Sequence, residues 1–469
     1  MTSSHTATRP VLETPLLAAP NWLDRPAVVG GDRDWTWRQI HSASIALAER
    51  LEGADLVGNL CNSRAGFLVT WLAAVRRSCV QWLPPSGGHA ELATMMSSGG
   101  DCRVVVDDTD FWRQQPWAQQ LPCILFDPCA AVIGLSDAEL AWSPDWGPPL
   151  VRLFTSGSSG TPALQAKSVG QLVLGAQLLA ERLDTTVDGG IAALGRIVCS
   201  VPPQHMFGLE ASVMLSLVIG LPVLDRRPLL PADVRAAIER QAGAAVWVAT
   251  PLHLRALVQA GDPVAHCNAV ITSTMPLAPA LAARAEGLLG APVLEIYGST
   301  ETGALAMRRT ACDAGWQPLQ GVRLESTAEG TRAWGAHFPS PQTLADRLKF
   351  DAAGHFTLQG RHSDLVKIAG RRGSLAGLNL LLSDLPGGVD GVFYQPATGA
   401  ATERLVLIHA GPALDRASTE AWLRERMDPV FLPRTVIRVD QLPRAANGKL
   451  PRSALDAVYN AWLAGKAPR

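Results

Sequence analysis

The sequence lacks any imbalance or clustering of charge. Its 41 Lys and Arg residues nearly match its 42 Asp and Glu residues, the formal net charge is −1, and no block of five or six like charges occurs. Because binding to nucleic acid needs a basic cluster, a general nucleic-acid surface is disfavoured.

Long hydrophobic runs are also missing. The segment up to Pro20 contains Arg9, Pro10 and Glu13 where a secretory signal needs an uninterrupted apolar stretch. The longest charge-free apolar stretches, 65–75 and 211–224, fall short of the roughly 20 residues that a membrane helix requires. We therefore expect no export and no membrane span, and interpret both stretches as buried elements.

Cysteine spacing shows no sign of a metal site or a disulfide framework. No Cys-x-x-Cys and no His-paired spacing occurs. Reduced, buried thiols and a cytoplasmic location are the better interpretation. The eight cysteines are Cys61, Cys79, Cys102, Cys123, Cys129, Cys199, Cys267 and Cys312.

Helical and strand patterns alternate over roughly the first 350 residues. Apolar residues recur at helical spacing from Ile40 to Leu51, and short Val/Ile-rich runs occur at 103–107, 244–250, 269–272 and 293–297. Such alternation is typical of βαβ units. We predict an α/β fold, with a large N-terminal domain of βαβ-layered sheets that carry helices on both faces.

The pattern changes scale after Gly360. A helical stretch at 375–385 is followed by short strand patterns at 405–408 and 436–439. We predict a large domain of residues 1–360 and a small, mobile α+β domain of residues 361–469.

A hydroxyl-rich segment follows an apolar strand pattern at 150–154. Two glycines allow the backbone to approach a ligand closely, and hydroxyl side chains with backbone amides favour a phosphate cradle. The Gly-Lys-Ser/Thr of a P-loop is absent. A flexible surface loop is the alternative. The segment is Thr155, Ser156, Gly157, Ser158, Ser159, Gly160 and Thr161.

A second segment, Glu295 to Gly303, follows another apolar run. It contains an aromatic ring at Tyr297, a hydroxyl at Thr300 and a carboxylate at Glu301. At the carboxyl end of a strand these groups suit a base, a phosphate oxygen and a hard divalent cation. The alternative is a strand-terminating turn with a solvated glutamate.

Both segments resemble signatures of the AMP-forming acyl/aryl ligases, the superfamily of acyl-CoA synthetases, adenylation domains and luciferases. Further matches follow in the family's order. Each alone also fits a packed or solvated side chain, but the common order favours the family. These matches are the acid-pocket entry Val201–Gly208, the ribose-binding Asp346, the interdomain hinge Gly360–Gly370 and the C-terminal lysine loop Leu442–Lys449.

The resemblance implies a nucleotide site for ATP and Mg²⁺. The hydroxyl-rich segment, from Thr155 to Thr161, would bind the β- and γ-phosphates. Thr300 would contact the α-phosphate, and Glu301 would hold Mg²⁺. The adenosine would be bound by Tyr297 on the adenine, Gly298 beside it, and Asp346 and Arg361 on the ribose.

The resemblance also implies that residues 1–360 are an adenylation core and that a small carboxylic acid reacts in two steps. Lys449 would bridge the acid carboxylate and the α-phosphate and stabilise developing charge. Lys367 would line the face used in the second step, in which a thiol of CoA or of an acyl carrier protein displaces AMP. The acid pocket would comprise His205, Phe207, Gly208 and Gly298.

The sequence departs from the family at three places. The lysine that often follows the phosphate loop is replaced by Ala163, which leaves the role of Lys167 open. The hinge position is Ser363, where relatives usually have Asp or Lys, so a charge-based latch is not available there. The segment 367–378 lacks the usual glutamates and resembles the ligases of bacterial aryl polyene and xanthomonadin pigment clusters, which are thought to load an aryl acid onto a carrier protein.

Three functions are compatible with these features. Amino-acid-activating relatives place Asp after Phe, but here Gly208 follows Phe207, and a buried ammonium without a partner is costly. An aryl acid such as 4-hydroxybenzoate is favoured, and a short- or medium-chain fatty acid is the second candidate. A catalytically weak binding subunit is the third, disfavoured by the presence of both Glu301 and Lys449.

Overall fold

The computed structural model describes most of the chain. The described residues are 22–84, 89–114, 122–126, 147–148, 150–155, 163–240, 244–327, 330–361, 365–368, 371–382, 385, 389–396, 404–445 and 448–466.

Capping residues that the sequence supplies locally begin and end several helices. Thr36 and Ser168 each start a helix and complete a capping box with a glutamine three residues later. Gly261 and Gly290 end two others in the left-handed conformation. A π-helical turn, Leu209–Met214, joins the short helices Met206–Gly208 and Leu215–Ile219, and 3₁₀ turns occur at Ile191–Ala193 and Pro429–Phe431. The helices are α1 (Trp37–Arg50), α2 (Arg64–Arg76), α3 (His89–Ser97), α4 (Thr109–Arg113), α5 (Val169–Thr186), α6 (Met206–Gly208), α7 (Leu215–Ile219), α8 (Pro231–Glu239), α9 (Pro251–Ala260), α10 (Pro279–Leu289), α11 (Leu375–Leu382), α12 (Arg416–Arg424) and α13 (Arg452–Lys466).

The strands are short, and many are rich in Val and Ile. They are β1 (Pro26–Val29), β2 (Trp35–Thr36), β3 (Leu56–Asn59), β4 (Val80–Leu83), β5 (Cys102–Val106), β6 (Cys123–Leu125), β7 (Val151–Thr155), β8 (Ala163–Lys167), β9 (Arg196–Cys199), β10 (Val223–Leu224), β11 (Ala245–Ala249), β12 (Cys267–Thr272), β13 (Val293–Ser299), β14 (Gly303–Arg309), β15 (Gln317–Pro318), β16 (Arg323–Thr327), β17 (Gly330–Trp334), β18 (Gln342–Leu344), β19 (Asp346–Phe350), β20 (Phe356–Arg361), β21 (Leu365–Ile368), β22 (Arg371–Ser374), β23 (Asp390–Tyr394), β24 (Val406–Ala410) and β25 (Thr435–Val439).

Two large, mainly parallel sheets form the N-terminal part of the chain. One has the order β15-β14-β13-β12-β11-β9-β10-β1-β2, and the other has the order β6-β5-β3-β4-β7-β8. In the first sheet the six neighbouring strands β13, β12, β11, β9, β10 and β1 are parallel to one another. In the second sheet only β8 runs antiparallel to its neighbour. Both sheets agree with the predicted βαβ layering.

One hydrophobic core joins the two sheets. Side chains from both sheets meet α1, α2 and α5 in this core. Helix α2 is buried from Arg64 to Val75, as expected for a helix that is apolar almost all round. Helices α8 to α10 cover the other face of the nine-stranded sheet, and α3 and α4 contribute to a separate core on the six-stranded sheet. The predicted α/β fold class, with helices on both faces, is confirmed.

The sequence predicted that strands and helices alternate up to about residue 350, but in the structure this alternation ends earlier. From Gly303 to Arg361 the regular elements are strands β14 to β20, and their pairings are antiparallel. Parallel neighbours need a crossover helix, whereas the connections here are short turns, so antiparallel pairing is the accessible arrangement.

The C-terminal residues form small sheets with their own hydrophobic clusters. Strands β23, β24 and β25 form one sheet. Helices α11 and α12 pack on one face of this sheet, and α13 packs on the other. The helix predicted over 375–385 is present but ends at Leu382. The boundary at residues 360/361 stays a prediction. No helix in the described part of the chain combines the length and apolar character needed to cross a membrane.

Candidate active site

The turn between β13 and β14 presents the second predicted motif. Within it, Ser299 and Thr302 exchange hydrogen bonds through their side chains and amides, and Thr300 and Glu301 lie partly exposed between them. A Cβ atom at Gly298 would lie 2.1 Å from the carbonyl oxygen of Gly303. Only glycine fits there, so this residue allows the close approach of the two strands that shapes the turn.

The predicted adenosine-binding residues lie together beside this turn. The Tyr297 hydroxyl donates a hydrogen bond of 3.0 Å to Asp346. The Tyr297 ring packs against Trp316 and Phe356 with centroid distances of 5.6 and 5.5 Å. In the β19–β20 ladder Asp346 pairs with Arg361. The structure thus brings Tyr297, Asp346 and the backbone of Arg361 together. Their roles toward adenine and ribose stay predictions.

The predicted acid pocket lies at the start of α6. His205 precedes this short helix, and Phe207 and Gly208 are buried within it. A Cβ atom at Gly208 would lie 2.0 Å from the carbonyl oxygen of Pro202, so the backbone excludes any side chain at this position. Burial, together with the positive charge of Lys449, lowers the pKa of His205 to about 4. The ring of His205 is therefore neutral at physiological pH.

The C-terminal lysine loop reaches this pocket. Gly448, at φ +80°, packs so closely on α9 that a Cβ atom would lie 3.0 Å from Cδ1 of Leu252 and 3.9 Å from Sδ of Met275. Lys449 is exposed, and its charge acts on His205 across more than 240 positions of sequence. The lysine loop thus packs on α9, and the charge of the predicted lysine acts at the predicted acid pocket.

Lys167, whose role the sequence left open, is buried beneath the turn. At the end of β8, its Nζ donates a hydrogen bond of 2.5 Å to the backbone carbonyl of Glu301. Burial lowers its pKa to about 8, against the opposing influence of the carboxylates of Glu210 and Glu301. Lys167 therefore supports the turn from the six-stranded sheet.

Glu210 is a buried carboxylate that sequence reasoning missed. It lies in the π-helical turn, 4% exposed, and accepts a hydrogen bond of 3.2 Å from the amide of Ala304. Burial raises its pKa to about 7, although the Lys167 charge and this hydrogen bond oppose the shift. The available signal was a single acidic residue beside the apolar stretch 211–224. Lys167 thus holds the middle of the turn at Glu301, and Glu210 holds the start of the strand that follows it at Ala304.

We expect Glu210→Gln to change the pH dependence of stability. The pKa of Glu210 is higher in the folded chain, so between pH 4.5 and 7 the folded state keeps a proton that the unfolded state has lost. The free energy of unfolding then falls as pH rises through this window. The free energy of unfolding of the variant, minus that of the wild type, should therefore rise by about 1–3 kcal/mol from pH 5 to pH 8. Urea unfolding at several pH values measures this, and parallel pH profiles for both proteins would contradict it.

Some predicted residues lie outside the described part of the chain. These include Ser156 to Thr161 in the phosphate loop and Ser363 at the hinge. The ends of the phosphate loop are described as backbone, because Thr155 pairs with Ala163 in the β7–β8 ladder. Lys367 pairs with Arg372 in the β21–β22 hairpin, with only its backbone described.

A family comparison matches most of the N-terminal part of the chain. The sequence model of a family described as AMP-binding enzyme matches residues 17–328. Enterobactin synthase component F of Shigella flexneri is 24% identical over 525 residues, covering 95% of this chain and 39% of that protein. Indoleacetate–CoA ligase of Aromatoleum aromaticum is 24% identical, covering 68% of this chain and 69% of its own length. The chain thus spans about two fifths of the first of these relatives.

Solved structures are similar to this chain in fold over more than nine tenths of its length. The o-succinylbenzoate CoA synthetase of Bacillus subtilis, in complex with its acyl-adenylate intermediate, gives a TM-score of 0.78 at 18% identity, over 94% of this chain and 98% of that one. A benzoate CoA ligase of Burkholderia xenovorans LB400 gives a TM-score of 0.75 at 15% identity, over 93% of this chain and 97% of that one. At these identities the likeness shows the fold.

Proposed function

This chain belongs to the AMP-binding enzyme family, and on that premise we propose that it activates a carboxylic acid with ATP and transfers the acyl group to a thiol. In the first step a carboxylate oxygen attacks the α-phosphorus of ATP, forming an acyl-adenylate as pyrophosphate leaves. In the second, a thiolate attacks the acyl carbonyl and AMP leaves. The observation that carries the proposal is that the lysine loop packs on α9 at Gly448 while the charge of Lys449 acts on His205, next to the buried Phe207.

The role of Lys449 follows from electrostatics. The carboxylate and the α-phosphate are both anions, so their approach is repulsive until a cation lies between them. Lys449 is the cation we assign to that place, and the neutral ring of His205 adds no competing charge. An ammonium group positioned for the transition state lowers the barrier without first having to reorganise water.

The residues at the turn fit the magnesium ion that accompanies ATP. Mg²⁺ is usually held by one or two carboxylates together with phosphate oxygens. Glu301 offers one carboxylate, partly exposed, and the described residues include no preformed cluster of three or more His, Cys, Asp or Glu residues. When bound, Mg²⁺ would neutralise phosphate charge. Lys167 fixes the backbone from which Glu301 projects.

We propose an aryl acid such as 4-hydroxybenzoate as the substrate. The names of similar proteins include indoleacetate and benzoate ligases. An α-amino acid is disfavoured because Gly208 offers no carboxylate and because the buried Glu210 already has Lys167 as its counter-charge. A short- or medium-chain fatty acid is the alternative for the same apolar pocket.

The acceptor we propose is a phosphopantetheine thiol, on an acyl carrier protein or on CoA. The carrier protein is supported by the segment 367–378, which resembles the pigment-cluster ligases, and by the likeness to enterobactin synthase component F. The CoA thiol is supported by the names of three similar proteins, an indoleacetate–CoA ligase, an o-succinylbenzoate CoA synthetase and a benzoate CoA ligase. The cytoplasm is the compartment we propose, since the described cysteines are all free thiols.

Pyrophosphate release with a panel of acids tests the proposal. The panel contains hydroxybenzoates, cinnamates and straight-chain acids of 4 to 10 carbons, each assayed with ATP and Mg²⁺. We expect the highest kcat/KM with an acid bearing a ring hydroxyl. A straight-chain acid as the best substrate would favour the fatty-acyl alternative. No pyrophosphate with any acid, while ATP still binds, would favour the third function, a catalytically weak binding subunit.

A further inference from the structure

A chain of ion pairs links α9 to the segment that carries the lysine loop. Arg255, on α9, lies 3.3 Å from Oδ1 of Asp390, the first residue of β23. Arg444 donates to both oxygens of the same carboxylate, from Nη2 to Oδ1 at 2.6 Å and from Nε to Oδ2 at 3.0 Å. Asp390 therefore bridges two guanidinium groups that are separated by almost 190 positions of sequence.

The same arginine holds the lysine loop. Nη1 of Arg444 donates a hydrogen bond of 2.9 Å to the carbonyl of Gly448. The amide of Ala445 donates to the carbonyl of Lys449 at 2.8 Å, and the amide of Gly448 donates to the carbonyl of Ala445 at 2.8 Å. The backbone on both sides of Lys449 is thus fixed by one guanidinium group and a closed turn.

These ion pairs are partly buried and lie beside the lysine loop. The side chains of Arg444, Arg255 and Asp390 are 15%, 23% and 30% exposed, so solvent screens them less than it screens ordinary surface pairs. Leu252, which touches Gly448, lies on the same helix as Arg255. Helix α9 thus contacts the lysine loop directly and also through Asp390.

We propose that Arg255, Asp390 and Arg444 form an ion-pair latch that positions Lys449 over the acid pocket for adenylation and opens for acyl transfer, when the hinge implied by the family resemblance turns. This inference rests on the proposed function. The sequence had excluded a charge-based latch at Ser363, and the latch proposed here lies elsewhere. Arg255 is on α9, in the large N-terminal part of the chain. Replacing it therefore removes the ion pair between α9 and Asp390 but leaves the Asp390–Arg444 pair intact.

Arg255→Met tests the latch. Loss of one partly buried, charge-assisted contact should slow acid-dependent pyrophosphate release roughly tenfold in kcat, with an unchanged KM for ATP. Transfer from preformed acyl-adenylate to a thiol should be unchanged or faster, because the loop leaves the pocket more easily. Arg255→Lys should restore part of the first rate. The matched control is Arg235→Met, which removes the exposed pair between Arg235 on α8 and Asp262 after the end of α9 and should alter neither step.

A double variant shows whether the latch acts through Lys449. In Lys449→Ala the loop no longer contributes its charge, so adding Arg255→Met should cause no further loss of pyrophosphate release. Equal losses of both half-reactions in Arg255→Met, or additive losses in the double variant, would overturn the latch. So would an unchanged rate in Arg255→Met when the wild type is active. A wild type that releases no pyrophosphate with any acid would instead overturn the proposed function.

Discussion

Lys449→Ala is expected to lower acid-dependent pyrophosphate release by about 100-fold or more while leaving ATP binding nearly unchanged. The ammonium group acts on charge that develops as carboxylate and α-phosphate approach, so its loss raises the barrier rather than the dissociation constant of ATP. A 100-fold loss corresponds to about 2.7 kcal/mol in the barrier. Single-turnover pyrophosphate release gives the rate, and equilibrium titration gives the ATP affinity.

Lys349→Ala provides a matched control for Lys449→Ala. Lys349 is also an exposed lysine, but it lies on β19 and has no assigned part in the reaction. Its loss should leave both the rate and the ATP affinity within about twofold. A fall of less than tenfold in Lys449→Ala would remove the lysine from the proposed step. Parallel loss of rate and ATP affinity would assign it to nucleotide binding instead.

The second large effect concerns the charge on the substrate. We expect 3-(4-hydroxyphenyl)propanoate to be activated with a kcat/KM at least about 100-fold higher than that of free tyrosine, from which it differs only by the ammonium group. Burying an ammonium without a partner costs several kcal/mol. Among the described residues near the pocket entry, Gly208 carries no side chain, and Glu210 already faces Lys167.

A second matched pair separates charge from ring recognition. Butanoate and 2-aminobutanoate differ in the same way but carry no ring. If the ammonium is what the pocket rejects, both pairs should show a preference of the same sign. A higher kcat/KM for free tyrosine than for its desamino analogue would contradict the argument and identify a counter-ion elsewhere in the pocket.

The parallel sheets were readable from the sequence because their signals are local. The Val/Ile-rich runs correspond to β5, β11, β12 and β13, and the helical spacing from Ile40 onward corresponds to α1. Buried parallel strands need continuous apolar runs, which stand out from polar connections.

The antiparallel strands that follow were missed, although a signal existed. In β17 the buried residues Thr331 and Ala333 alternate with more exposed neighbours, which is the two-residue period of a half-exposed strand. The apolar share of such a strand is small, and its charged residues resemble those of a loop. Pairing with β16 and β18 supplies the hydrogen bonds that make these residues strands.

The sequence alone determined the residue types of the candidate site and their order along the chain. These motifs are turns, glycines and clusters of hydroxyl residues, and each consists of residues that are adjacent in the sequence. Only the tertiary structure decided which groups Lys167, Glu210 and Asp390 contact. Lys167 reaches the carbonyl of a residue 134 positions away, and Asp390 meets Arg255 at a separation of 135. Local periodicity specifies which face of an element is buried, but not which distant side chain it will meet. Which distant side chains meet depends on how the two sheets and the C-terminal elements pack together. Packing sets the distance between two buried charges, and that distance determines how strongly they interact.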